Sequence, residues 1–182
     1  MTEDNLRDWL DSSMRDLGCV FEPGNEQQSP PLEVLGYYVR RVRLSWLPIL
    51  GQGLGVVAVC RMPSDLSGSV AAYRPLISRI SELVNSRFPP IRKGRGITLG
   101  LTTIVLTDDT ISTDEDSRLA HVLEPVLRTR VVPLAIFVVN IEQDTFASSL
   151  KRGPEGLFPE PEAIADNLAS KFRRYLPLVI LE

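Results

Sequence analysis

Three aspartates stand where the chain leaves apolar stretches. Asp65 comes after Val56–Cys60, and Asp108 and Asp109 directly follow Ile97–Thr107. Asn140, Glu142 and Asp144 follow a third apolar run, Val131–Val139. In an open α/β sheet, ligands bind beyond the carboxyl ends of parallel strands. Carboxylate, amide and hydroxyl oxygens at such ends are hard ligands suited to magnesium or calcium. Adjacent carboxylates also raise one another's pKa, which suits Asp108 or Asp109 to work as a general base. Arg92, Lys93 and Arg95, in the glycine-interrupted RKGRG stretch, are candidates to hold an anion. This set defines one expectation: a hydrolase or phosphotransfer-type enzyme that uses magnesium on an anionic substrate. Aspartate is equally at home in turns, so Asp108 and Asp109 also read as the turn that leads into a helix.

Asp65-Leu66-Ser67-Gly68-Ser69 resembles the DxSxS metal-site pattern of von Willebrand factor A domains. Leu106-Thr107-Asp108 resembles that family's later strand-end aspartate. The resemblance implies a divalent cation held by these oxygens. In this chain, however, Asp65 lies past Pro63 rather than at a strand end, and it is too near Asp108 for the strands and threonine that intervene in the family. Without a metal, Ser67 or Ser69 caps the following helix and Asp65 is a loop residue. No metal site and no cofactor are assigned on these residues.

Other chemistries lack their residues. A single histidine, His121, excludes multi-histidine metal centres, and it falls opposite the apolar face of its helix. The chain has no GxSxG elbow and no GxxxxGK[ST] loop. The Glu-x-Lys strand signature of restriction-enzyme-like nucleases is absent from Val56–Arg61. Gly51–Gly55 lies between two strands, whereas a phosphate cradle opens a helix. Cys60, next to Arg61, reads either as an activated thiol or as a buried core residue. Cys19 and Cys60 form no CxxC pattern, so neither a zinc nor a disulfide framework is expected.

The elements that would position these residues follow from hydrophobic period. A helix spans residues 1–18, capped by Thr2 and ended by Gly18, with Leu6, Trp9, Leu10, Met14 and Leu17 on one face. Residues 22–31 form a proline-broken loop. Residues 37–60 form an antiparallel hairpin, with Tyr38, Val42, Leu44 and Trp46 sharing its first strand's buried side. Arg40 falls on that apolar side, where a long side chain snorkels outward. Residues 61–182 alternate helix and strand: a helix over 69–87, a strand over 97–107, a helix from Thr113, and a strand over 131–140. Loop 151–161, a helix opened by Pro161 with Ile164, Leu168, Phe172 and Tyr175 inward, and a strand over 178–181 complete the chain. The chain therefore reads as one α/β domain. Its expected form is a three-layer α/β/α sandwich with a largely parallel central sheet and the N-terminal hairpin at one edge.

Composition limits the partners. The net charge is −3, yet residues 37–95 carry ten basic residues against two acidic, between two acidic blocks. Such a block binds nucleic acid or packs against the acidic blocks, and a pI of about 5.3 favours packing. The longest apolar run, Val131–Val139, contains Pro133 and is far short of the roughly twenty residues of a membrane span. The acidic start lacks the basic and apolar regions of a signal peptide, which reads as cytoplasmic. With no convergent catalytic set and a segregated charge, the leading expectation is a non-catalytic domain that works through a protein partner or self-association.

Overall fold

The computed structural model describes residues 2–24, 32–43, 52–62, 70–88, 98–108, 110–111, 123, 130–151, 160–172, 174–175 and 179–181. Helix α1 (Glu3–Asp16) begins at Thr2, whose Oγ1 accepts from Asn5 N at 3.3 Å. It ends at Gly18, whose φ of 76° lets Gly18 N and Cys19 N reach back to the carbonyls of Arg15 and Met14. Leu6, Leu10 and Met14 are buried beneath it, and Trp9 and Leu17 pack partly against the same core.

Eight strands form one mixed sheet: β1 (Val20–Pro23), β2 (Glu33–Arg43), β3 (Gln52–Arg61), β4 (Thr98–Thr107), β5 (Val131–Asn140), β6 (Thr145–Lys151), β7 (Arg174–Tyr175) and β8 (Val179–Leu181). Strands β1 to β7 lie in chain order, with β8 also beside β6. Pairs β1–β2, β2–β3 and β5–β6 are antiparallel; β3–β4, β4–β5, β6–β7 and β6–β8 are parallel. The α/β class stands, but the sheet is mixed rather than largely parallel. Parallelism is confined to the central β3–β4–β5 run and the far edge. The reason is the turn at 141–144, which joins β5 to β6 in four residues, far too few for a crossover. The strands of 37–60 are not outermost either, because β1 lies outside β2.

Helix α2 (Val70–Arg87) follows β3, and helix α3 (Glu160–Lys171) follows β6. Right-handed crossovers, the usual hand, would set α2 and α3 against opposite faces, because chain direction reverses at β6. The cores divide accordingly. Tyr73, Leu76, Ile77, Ile80 and Val84 of α2 cluster with Val56, Ala58, Cys60, Leu101, Val105, Ile136 and Val138. Leu6, Leu10 and Met14 of α1 and Ile164 and Leu168 of α3 cluster with Val57, Val59, Ile104, Leu106, Phe137 and Val139. Successive strand residues alternate between the clusters, so the central strands are covered on both faces.

Several local expectations change. Strand β2 starts at Glu33, and both Tyr37 and Tyr38 are buried, one in each cluster, so the strand has two covered faces in its middle. Arg40 is half-buried, with Nε near Gly18. Pro133 is accommodated by a bulge: Leu101 pairs with Pro133 and Thr102 with Ala135, which leaves Leu134 unmatched beside the residue that has no N–H to give. Pro75 lies within α2 on an exposed position. Tyr175, expected inward on the last helix, lies in β7, because α3 ends at Lys171. Of the helix expected from Thr113, only Leu123, a buried residue, lies within the described residues.

Candidate functional site

Register fixes which residues share the carboxyl end of the parallel run. Arg61 pairs with Leu106, and Thr107 with Asn140, so β3, β4 and β5 finish side by side. The end is tied together. Met62 N donates to the Leu106 carbonyl at 2.9 Å. Buried Asn140 caps the next turn, its Oδ1 accepting from Gln143 N at 2.8 Å, and Gln143 Nε2 donates to Thr110 Oγ1 at 2.8 Å. Asp144 completes the turn in the left-handed region at φ 55°, a conformation aspartate tolerates.

Asp108 stands exposed at the end of β4, and Glu142 is exposed on the neighbouring turn. Asp65 and Asp109 lie outside the described residues, as do Arg92, Lys93, Arg95 and His121. Among the described residues no group of three histidine, cysteine or carboxylate side chains is placed to hold a metal ion. Phe88 and Thr98, which bracket residues 89–97, are at the opposite end of the sheet from Asp108. Strand β4 separates the two ends by roughly 30 Å.

Cys60 is buried, with Sγ 3.6 Å from the Ile104 carbonyl. Burial pushes its thiol up to about 12, the reverse of activation. Two arginines of the 37–95 block pair with carboxylates of the acidic N-terminal block: Arg61 with Glu3, and Arg87 with Glu22 at 3.2 Å. Arg79 pairs with Glu82 on its own helix at 3.4 Å. Segregated charge in the chain is therefore partly recombined in the fold.

A feature not flagged by the sequence pattern lies at the outer strand. Val20 is 67% exposed and Phe21 36%, the exposed large hydrophobic residues of the described structure. The Phe21 ring sits 5.1 Å from the Tyr38 ring, with the Arg7 guanidinium 5.8 Å above it. Gly36 lies beneath it, and a Cβ there would come within 2.4 Å of the ring, so a larger residue would have to displace Phe21. Tyr38 OH hydrogen-bonds Asp11 of α1, and burial, with that carboxylate second, holds the phenol far above its usual range. Behind β1, Arg87 donates to Glu22 Oε2 from Nε and Nη2 at 3.3 and 3.2 Å and to the Pro23 carbonyl at 3.1 Å. Its guanidinium lies 5.1 Å over Tyr37 and 6.0 Å from Phe88. Exposure depends on strand order, and nothing in the local pattern of Cys19–Phe21 announces that this strand is outermost.

Comparison with protein-family profiles, curated proteins and solved structures gives no significant match to the chain. No helix of the described residues is long and apolar enough to cross a membrane.

Proposed function

We propose that this chain is a non-catalytic cytoplasmic α/β domain that acts through contacts with other protein chains, as a subunit or regulatory module. The observation that carries this reading is the pairing of Val20 and Phe21 in exposed positions on the outermost strand. Large apolar side chains left on a rigid edge, backed by an arginine–aromatic contact, supply the kind of anchor from which interfaces are built. Cys19 and Cys60, buried and not joined in a disulfide, suit a reducing compartment. We read the architecture as the three-layer α/β/α sandwich, with the β2–β3 hairpin near one edge. Support comes from the two core clusters, one holding α2 and the other α1 and α3.

The test compares the intact chain with a Val20→Ser/Phe21→Ser variant by light scattering and by affinity capture from native lysate. The reading expects self-association, or a retained partner, that the double variant loses while its fold is preserved. A chain that is monomeric and retains nothing would sink it, and so would identical behaviour of the two proteins.

A second reading, the magnesium-dependent hydrolase or phosphotransfer-type enzyme built on Asp65, Asp108 and Asp109, draws on one observation. Exposed Asp108 ends the middle strand of the parallel run, between the ends of β3 and β5. In this reading Arg92, Lys93 and Arg95 hold the anionic substrate. Titration with magnesium or manganese decides it: absence of heat together with an unchanged melting temperature removes it.

A further inference from the structure

We draw no further inference here: the strongest candidate, the side-chain cluster at the carboxyl end of β3 in which Arg61 pairs with Glu3 of α1 and lies opposite Glu33 of β2 in register, carries nothing, because its one arginine is already paired and nothing among the described residues points to a ligand there.

Discussion

Replacing Arg130 with alanine tests the packing of α2 against the sheet. Arg130 precedes β5, and its side chain closes the carboxyl end of α2: Nε donates to Asn85 Oδ1 at 3.3 Å, and Nη2 to the carbonyls of Asn85 and Phe88 at 3.5 and 3.3 Å. These are orphan carbonyls of a helix end, favourably met by a cation. The bonds are long, so each contributes about 1 kcal/mol, at the low end for charged donors, and the three sum to roughly 3 kcal/mol. Against this, Nη1 is buried with no partner among the described residues and costs about 1 kcal/mol. The bonds outweigh the cost, and Arg130→Ala is expected to lose about 2 kcal/mol. For a chain of this size that lowers the melting temperature by roughly 4–8 °C. Urea titration gives the free energy, and Asn85→Ala with the double variant gives the coupling, expected at about 1 kcal/mol. The bond from Arg130 N to Asn85 Oδ1 at 3.4 Å is kept in Arg130→Ala and lost in Asn85→Ala, so the cycle isolates the side-chain part. A loss below about 0.5 kcal/mol, or strictly additive single variants, would refute the clasp.

Three further outcomes follow. Thr103 carries a buried hydroxyl with no partner among the described residues, so Thr103→Val is expected to raise stability by about 1 kcal/mol in the same titration, whereas an equal loss would mean the hydroxyl is bonded. Cys60 is raised above its unfolded value of 9.0 to about 12, so its neutral form favours folding below pH 9 and that contribution drains away as pH climbs toward 12. The stability gap between the parent and Cys60→Ala should therefore shift against the parent by about 1 kcal/mol between pH 9 and 10, and a constant gap excludes it. Phe137 is fully buried on the α1–α3 side, and Phe137→Ala is expected to cost about 3–5 kcal/mol by thermal melting; a loss under about 1 kcal/mol would contradict its place in the core.

How far the chain could be read before its structure depended on whether burial coincided with apolarity. Helix α1 has a capping threonine, a terminating glycine and a clean stripe, so its limits and its buried face were legible. Strands β4 and β5 were legible as β-branched runs. Strand β6, TFASSLK, was not: it hides Thr145, Ser148 and Ser149 in the interior, and small polar side chains read as loop unless their surroundings are known. Missing β6 also concealed the reversal that makes the sheet mixed. The candidate site was legible only as a list. Asp108 was correctly placed at a strand end, but which residues share that end is a matter of register, which no local pattern records. Phe21 escaped for the same reason, since its exposure comes from the position of β1 outside β2 and from Gly36 beneath its ring.

Strand order that follows chain order from β1 to β7 also bears on how the molecule is assembled. Each new strand is added at the margin left by the one before, and none has to be inserted between two already joined. The antiparallel pairs β1–β2 and β5–β6 close over short connections, whereas β3–β4, β4–β5 and β6–β7 must each wait for a crossover of more than twenty residues, so the parallel run is the slow part of assembly. On the ribosome, the face that carries Val57, Ile104 and Phe137 waits for Ile164 and Leu168 of α3 to emerge, so its apolar rows are the last to be covered.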